Sequence, residues 1–262
     1  MEIVDFHTHI YPDKIAEKAT KSIGGFYNIE MDCQCGMLDG LLESGGRAGV
    51  THYVALGVAT VPQQVEGVNN FLAQVIANHP NIYAYAALHP DMENIEAEVD
   101  RVISLGFKGI KLHPDFQKFA IDDKKTISML EHVEGRLPLL IHAGDNRYGY
   151  SNPKQIIALL DALPKITFIG AHFGGYSVWD EAARLLCDRG IYVDCCSSLA
   201  FISEEKAREY IKAFTPERVL FGSDFPMWDH ERELERLQRV VTDSGDYEKI
   251  VYKNAKRLLN IT

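Results

Sequence analysis

The sequence contains no run of about 18 consecutive apolar residues, the length that a helix needs to cross a bilayer. It also shows no signal peptide, because the polar residues Asp5 and His7 lie where the apolar core of such a peptide would begin. These two absences predict a soluble protein of the cytoplasm.

Clusters of basic residues are missing as well. The chain has 27 Lys and Arg residues against 37 Asp and Glu residues, which gives a formal charge of −10. Nucleic acids and anionic membranes bind proteins through clustered Lys and Arg, so neither is an expected partner. The expected partner is a small-molecule substrate.

A disulfide framework is the third missing feature. The five cysteines are odd in number and irregular in spacing, which predicts ordinary reduced thiols. The pair in "CQC" could form half of a metal site, but no second pair completes it. The cysteines are Cys33, Cys35, Cys187, Cys195 and Cys196.

What the sequence does contain is a regular alternation of short, β-rich apolar runs with longer amphipathic runs. Strict alternation predicts a parallel sheet, and eight repeats over 262 residues predict an α/β protein with a (β/α)₈ TIM barrel. No linker or low-complexity segment divides the chain, so one domain is expected over residues 1–262. The predicted strands are 3–9, 52–58, 82–89, 108–113, 137–143, 166–172, 191–196 and 218–224. The predicted helices are 37–48, 66–78, 92–105, 123–134, 153–163, 177–189, 203–213, 229–242 and 246–259.

One connection is unusually long. Residues 10–36 follow the first predicted strand and contain "SIGGFYNIEMDCQCG", which is rich in glycine and aromatic residues. This composition predicts a loop insertion, and long loops in compact domains are often functional. A lid over the site and an insertion without function are both compatible with it.

Ionisable side chains occur at the carboxyl ends of five predicted strands, where a barrel of this class keeps its chemistry. In "DFHTHIYP", His7 and His9 point to the same side of the first strand, about 6.5 Å apart. This pair alone is weak evidence for a metal clamp, because a solvated strand end can look the same. The other strand ends supply Lys111, His113, His142, His172 and Asp224.

Three neutral imidazoles and one carboxylate suit Zn²⁺ or a similar first-row divalent ion. A site on strands one, five and eight leaves one coordination position for water, whose pKa such an ion lowers to about 7. His172 on strand six would lie beside that position and could orient the water or transfer a proton. Lys111 shares the parity of His113, so it should face the barrel interior. There it could form an ion pair, orient a substrate or carry a metal-bridging carbamate.

In this combination and order, "DFHTHIYP", "GFKGIKLHPDF", "LPLLIHAG", "FIGAHFGG" and "RVLFGSDFP" resemble the amidohydrolase superfamily. The most similar branch is the amidohydrolase-related group that includes aminocarboxymuconate semialdehyde decarboxylase and the resorcylate decarboxylases. The resemblance implies a distorted (β/α)₈ barrel with a metal at its C-terminal mouth. It also implies metal ligation by His7, His9, His142 and Asp224, with His172 as the acid/base.

The number of metal ions depends on strand four. In the binuclear branches a lysine or glutamate of this strand bridges two metals, but "GIKLHP" around Lys111 is not a clear version of that motif. One divalent ion is therefore expected, Zn²⁺ first and Mn²⁺ as an alternative, and a second ion is left open. Members of this branch are commonly dimers, so a homodimer is also considered.

The resemblance implies two kinds of reaction that use the same ligands. The first is hydrolysis by metal-activated water, with Asp224 taking the water's proton, and the second is non-oxidative decarboxylation of a carboxylated aromatic or enoic acid. A binding barrel without catalysis is the third hypothesis. The predicted substrate is small and carboxylated. The candidate substrate-binding residues are Lys111, His113, Arg147, Tyr148 and Trp228, because Arg147 could hold a carboxylate and Trp228 could stack on a planar group.

Overall fold

A computed structural model of the chain describes residues 1–261. Eight parallel strands form one sheet in which every strand neighbours the next strand in sequence, from β1 to β8. This order is that of a (β/α)₈ barrel, so the predicted fold class is confirmed. The strands are β1 (Val4–Thr8), β2 (His52–Leu56), β3 (Ile82–Ala87), β4 (Gly109–Leu112), β5 (Leu139–Ile141), β6 (Phe168–Gly170), β7 (Tyr192–Asp194) and β8 (Val219–Leu220).

Helices follow the strands, as the alternating sequence pattern predicts. They are α1 (Asp13–Tyr27), α2 (Leu38–Arg47), α3 (Val65–Asn78), α4 (Ile95–Ser104), α5 (Pro114–Gln117), α6 (Lys124–Glu131), α7 (Pro153–Ala162), α8 (Trp179–Leu186), α9 (Glu204–Phe214), α10 (His230–Val240), α11 (Ser244–Glu248) and α12 (Asn254–Leu259). The predicted last helix, 246–259, is interrupted by a π-helical stretch at Lys249–Lys253. None of the helices within residues 1–261 is both long and apolar enough to span a membrane.

Two hydrophobic clusters explain why the strands are apolar on both faces. The larger cluster joins strand residues to the helices packed around them, such as Leu41 of α2 and Leu72 of α3. The smaller cluster contains strand residues such as Phe6 and Tyr85, and its only helical members come from α12. Because none of its buried members comes from α1 to α11, this second cluster fills the barrel interior, and α12 packs against it from one end.

The segment after β1 differs from its prediction. Residues 10–36 are predicted as a loop, but the 15-residue helix α1 occupies Asp13–Tyr27. Its apolar residues Ala16, Ala19, Ile23 and Phe26 recur at intervals of three or four, which is the helical period. The adjacent glycines Gly24 and Gly25 lie in the last turn and do not prevent the helix from forming, and the helix ends at Asn28, which is left-handed and donates its N–H to the Gly24 carbonyl.

The barrel closes between β8 and β1 through main-chain hydrogen bonds. The amide of Phe6 donates to the Phe221 carbonyl at 2.9 Å, and the amide of Asp224 donates to the His7 carbonyl at 2.8 Å. Gly222 lies in this seam, and a Cβ at its position would be 2.7 Å from Cβ of His7. A glycine is required there because the two backbones approach too closely for any side chain.

We expect Gly222→Ala to lower the free energy of unfolding by about 1–3 kcal/mol, because the added methyl group overlaps His7. Gly67→Ala is the matched control. Gly67 is exposed in α3 with nothing near its Cβ position, so alanine should be neutral or stabilise by roughly 0.5–1 kcal/mol. Urea unfolding of both variants measures the difference. If Gly222→Ala and Gly67→Ala had equal free energies of unfolding, the close approach of β8 and β1 at Gly222 would be contradicted.

Candidate active site

A cavity of about 290 Å³ opens at the carboxyl ends of the strands. Six of the residues predicted from strand ends line it, namely His7, His9, His113, His142, His172 and Asp224. The remaining lining is mostly apolar and aromatic, and among residues 1–261 no lysine or arginine contributes to it. The cavity therefore combines a polar base with apolar walls, which is typical of small-molecule sites.

At the base of the cavity, His7, His9 and Asp224 come together. The two Nε2 atoms of the histidines lie 3.3 Å apart, and each is 3.6 Å from Oδ1 of Asp224. All three potential ligand atoms thus lie within 4.8 Å of one another. These residues are far apart in sequence, because β1 carries the histidines and the aspartate follows β8. The hydrogen bonds between β8 and β1 bring them together.

Hydrogen bonds on the far side of each ring fix which nitrogen carries the proton. Nδ1 of His7 donates to Oδ2 of Asp194 at 2.8 Å, and Nδ1 of His9 donates to the Leu56 carbonyl at 3.2 Å. Burial, with the charge of Lys111, holds the pKa of His7 well below its usual range, and burial lowers the pKa of His9 to about 4. Both rings are therefore neutral at pH 7, and both Nε2 lone pairs face the carboxylate.

Three electron-pair donors that face one another without a proton between them suit a cation. Two imidazole nitrogens, each about 2.1 Å from one tetrahedral ion, are roughly 3.4 Å apart, close to the spacing of His7 and His9. Lys111 is buried beside them, as its parity predicts, with Nζ 3.4 Å from Nε2 of His7. Burial lowers the pKa of this lysine to about 8.

His142 and His172 form a second pair next to the first. Nδ1 of His142 lies 2.9 Å from Nε2 of His172, while Nδ1 of His172 donates to the Cys196 carbonyl at 3.0 Å. Burial and the neighbouring imidazoles hold the pKa of His142 well below its usual range. His142, predicted as the fourth ligand, is not within the group of His7, His9 and Asp224; one of its ring nitrogens instead lies within 4.8 Å of carboxylate oxygens of Asp115 and Asp145.

The backbone at the strand ends is strained where the polar side chains are presented. His172, Ser197 and Asp224 all have φ between 52° and 60°, in the left-handed region that non-glycine residues rarely adopt. Such strain costs about 1–3 kcal/mol per residue and is concentrated at functional sites. The hydroxyl of Ser197 donates to Oδ2 of Asp224 at 2.6 Å, which leaves Oδ1 directed at the two histidines.

The charge state of Asp224 follows from these contacts. Burial opposes ionisation of its carboxyl group, but the pKa lies below its ordinary value, because the imidazoles of His7, His172 and His9, when protonated, and the Ser197 hydroxyl bond favour the anion. Asp224 is thus an anion at pH 7 and can act as a ligand or accept a proton.

The predicted substrate-binding residues separate into two groups. His113 lines the cavity with Nε2 3.0 Å from the Tyr27 hydroxyl, and Lys111 is buried outside the lining, with Nζ 3.4 Å from Nε2 of His7. Arg147, Tyr148 and Trp228 are outside the lining. Sequence parity can place a side chain on one face of a strand, but it cannot decide the direction of a loop side chain.

Arg147 is held away from the cavity by its own neighbours. Its Nη2 donates to Oδ2 of Asp145 at 2.7 Å, and its Nη1 donates to the carbonyl of Phe26 at 2.9 Å. The ring of Tyr148 stacks on Phe26 with centroids 5.7 Å apart. These contacts fasten the end of α1 to the loop after β5, so both residues position the cavity wall.

The helix α1 supplies a wall of the cavity that sequence reasoning missed. Its last three turns contribute Ala19, Ser22, Ile23, Phe26 and Tyr27. The Tyr27 hydroxyl also lies 3.4 Å from Nε2 of His142, so this helix contacts the polar base directly. The helical period of its apolar residues was the available signal.

Asp194 is a second residue without a predicted role. Besides holding His7, its Oδ1 accepts the main-chain N–H of His172 at 2.8 Å and the thiol of Cys196 at 3.0 Å. Its position at the end of β7, in "YVDCCSS", was the available signal, because β7 ends at the same mouth of the barrel as the histidine-bearing strands.

Solved structures with this fold have low sequence identity to the chain. An uncharacterised TIM-barrel protein from Bordetella bronchiseptica has a TM-score of 0.80 at 20% identity, with 99% of each chain covered. The 2,6-dihydroxybenzoate decarboxylase from Rhizobium has a TM-score of 0.77 at 16% identity, covering 100% of this chain and 99% of that one. A zinc-bound amidohydrolase from Burkholderia multivorans has a TM-score of 0.76 at 14% identity, with both chains fully covered. No curated protein matches the sequence.

The sequence itself decides the family. The model of the amidohydrolase family matches residues 4–261, which is nearly the whole chain and includes every strand of the barrel. The predicted resemblance is thereby confirmed, and the chain belongs to the amidohydrolase family.

Proposed function

We propose that this protein is a metal-dependent hydrolase that uses activated water on a small, carboxylated substrate. The observation that carries the proposal is the convergence of three proton-free donor atoms, from His7, His9 and Asp224, at the base of a cavity. The amidohydrolase family and the enzymes among the similar structures support it.

The donor set favours one divalent ion, with Zn²⁺ as the first candidate and Mn²⁺ as an alternative. His7, His9 and Asp224 would hold it, and the family pattern adds His142. When bound, such an ion supplies a Lewis acid that activates a water molecule or polarises a substrate oxygen. A second ion between His142 and His172 is the alternative that metal analysis must decide.

Asp224 and His172 are the proposed proton-transfer residues. The carboxylate of Asp224 is anionic and fixed by Ser197, so it can accept a proton from the attacking water. His172 donates from Nδ1 to the Cys196 carbonyl, which leaves the Nε2 lone pair, beside His142, to take up a proton and pass it to the leaving group.

The shape of the cavity favours a compact substrate with one polar end. Aromatic and aliphatic side chains such as Phe116, Tyr176 and Met227 form its walls. A substrate carboxylate would lie at the polar base, near His113 and above Lys111, because Arg147 is already bound to Asp145. Trp228 stays a candidate for contact at the rim only, since its indole N–H donates to Ser197.

Decarboxylation is the second candidate function. It uses the same ligands, and one of the similar structures is a decarboxylase of an aromatic acid. The aromatic walls of the cavity suit a planar substrate of that kind. A barrel that binds a ligand without catalysis is the third candidate function. A cytoplasmic location and a homodimer are proposed from the sequence alone.

Metal content is the first test. Protein purified without added metal should contain about one divalent ion per chain, and His7→Ala should lose it because a three-donor group becomes a two-donor group. Elemental analysis of both proteins gives the answer, with the half-buried His132→Ala, which lies outside the cavity lining, as the control. Two ions per chain would favour the binuclear arrangement, and none in either protein, even after addition of Zn²⁺ or Mn²⁺, would overturn the proposal.

The reaction type is tested in water enriched in ¹⁸O with the metal-loaded protein. Amides, lactones and esters carrying a carboxylate are one panel, and carboxylated aromatic and enoic acids are the other. Hydrolysis places ¹⁸O in the product, whereas decarboxylation releases CO₂ without incorporating label into the organic product. We expect incorporation. Release of CO₂ alone would establish the lyase, and no turnover by the loaded protein on either panel would favour the binding barrel.

Once a substrate is found, Asp224→Asn should keep the fold and reduce kcat by about 10²- to 10⁴-fold, because an amide cannot accept the water's proton. His172→Asn should retain most of the metal and lose activity. Kinetics and metal analysis are measured on the same preparations. Normal turnover by Asp224→Asn would remove its assigned role, and loss of metal from His172→Asn would make His172 a ligand.

A further inference from the structure

Asp115 is a buried carboxyl group with no evident purpose in the fold. Its side chain follows β4 in the short helix α5, the residue is 3% exposed, and neither of its oxygens has a hydrogen-bond partner within residues 1–261. A buried carboxylate without a partner is costly, and each such group in a folded protein calls for an explanation.

The position of Asp115 is fixed by its surroundings. In the same helix, the side chain of Gln117 accepts the main-chain N–H of His113 at 2.8 Å. It also donates to the carbonyls of Ala59 and Leu88 at 2.9 and 2.8 Å. These contacts join α5 to the ends of β2 and β3. The carboxyl group is therefore presented by an anchored segment and cannot swing out to solvent.

The nearest polar partner of Asp115 is a predicted metal ligand. Nε2 of His142 lies 3.4 Å from Oδ2 of Asp115, while Nδ1 on the opposite side of the ring lies 2.9 Å from His172. Asp145, the other carboxylate nearby, is already bound by Arg147. Asp115 is thus the one of these two carboxyl groups that is free to accept a hydrogen bond from the ring.

The chemistry of a histidine ligand explains this arrangement. A neutral imidazole that gives the lone pair of Nδ1 to an ion carries its proton on Nε2, and that N–H needs an acceptor. Without a metal, Nδ1 of His142 donates to Nε2 of His172, since Nδ1 of His172 donates to the Cys196 carbonyl. An ion bound at Nδ1 would replace that proton, and the ring would then carry its proton on Nε2, which faces Asp115. His7 has the mirrored arrangement, with Nε2 toward Asp224 and Nδ1 bonded to Asp194.

We propose that Asp115 is the positioning residue of His142: it accepts the Nε2–H of that ring and so directs the Nδ1 lone pair toward the metal. The inference rests on the metal site of the proposed function. Asp115 and Asp194 then perform the same task for two histidines on different strands, β5 and β1. Nothing in the proposal requires Asp115 to touch metal or substrate.

The hydroxyl of Tyr27 is the competing acceptor, since it also lies 3.4 Å from Nε2 of His142. A phenol oxygen is a weaker hydrogen-bond acceptor than a carboxyl oxygen, because its lone pair is shared with the aromatic ring. The hydroxyl also has a shorter contact with Nε2 of His113, at 3.0 Å. Removing the Tyr27 hydroxyl and the Asp115 carboxyl in separate variants identifies which of them positions His142.

The test measures the dissociation constant of Zn²⁺ by competition with a chelating indicator for the full-length protein and four variants. Asp115→Leu removes the acceptor and should weaken zinc binding by about 10- to 100-fold. Asp115→Asn keeps an acceptor oxygen without the charge and should lose less. Tyr27→Phe and the exposed Asp122→Leu, from the same connection, should bind zinc within about threefold of the wild type.

Thermal unfolding of the metal-free variants separates positioning from stability. Leucine replaces an unpartnered buried carboxyl group, so Asp115→Leu should unfold at the same temperature or higher while its zinc affinity falls. A structural role would instead lower both. NMR of ¹⁵N-labelled histidine, with His142 assigned by its loss in His142→Gln, should show the proton on Nε2 in the zinc-loaded wild type.

Each outcome bears on one hypothesis or on both. Unchanged zinc affinity in Asp115→Leu, or zinc on Nε2 of His142, overturns the role of Asp115 and leaves the metal-dependent enzyme intact. A larger loss in Tyr27→Phe than in Asp115→Leu transfers the role to the phenol and also overturns the inference. No zinc binding by the wild type overturns both proposals.

Discussion

The carboxylate of Asp194 is the contact on which the candidate site depends. Through His7 it determines the orientation and proton position of a ring on β1, and through the amide of His172 it stabilises the strained turn after β6. One buried anion at the end of β7 thereby orients groups from two other strands. The cost of burying it is offset because both of its oxygens accept hydrogen bonds.

The close packing of the histidines depends on their being uncharged in a buried space. Five imidazoles lie at the mouth of the barrel. Burial lowers the pKa values of four of them, namely His7, His9, His113 and His142. Neutral rings can approach one another to hydrogen-bonding distance, which charged rings could not do. The same burial makes their lone pairs available, so the packing that excludes water also prepares the electron-pair donors.

Much of this arrangement was predictable from the sequence. The alternation of apolar runs located all eight strands, and the polar residues at their ends include the six that reach the cavity. Strand parity also placed Lys111 inside. These features are local, since a strand ends where its apolar run ends, and the barrel then gathers the ends at one mouth.

Other features depend on contacts between distant parts of the chain. Asp194 is 187 residues from His7, and Asp115 lies beside His142 only because α5 is anchored to the ends of β2 and β3. The direction of Arg147 is set partly by Asp145, two residues before it, and partly by the Phe26 carbonyl at the end of α1, which lies 121 residues away and which the loop sequence does not reveal. The helix α1 itself was missed because glycine and aromatic content outweighed its periodic apolar face.

The separation of α1 from the strands has a further consequence. The donor atoms are fixed to the barrel, whereas much of the wall that a bound molecule would touch belongs to a helix that contributes no donor atom from His, Asp, Glu or Cys. Replacing Ala19 or Ile23 by larger or smaller residues alters the volume available to a guest and leaves the donor geometry as it is. The residues that determine reactivity lie at the strand ends, and many of those that determine which molecules fit lie in α1. The two properties can therefore be varied independently.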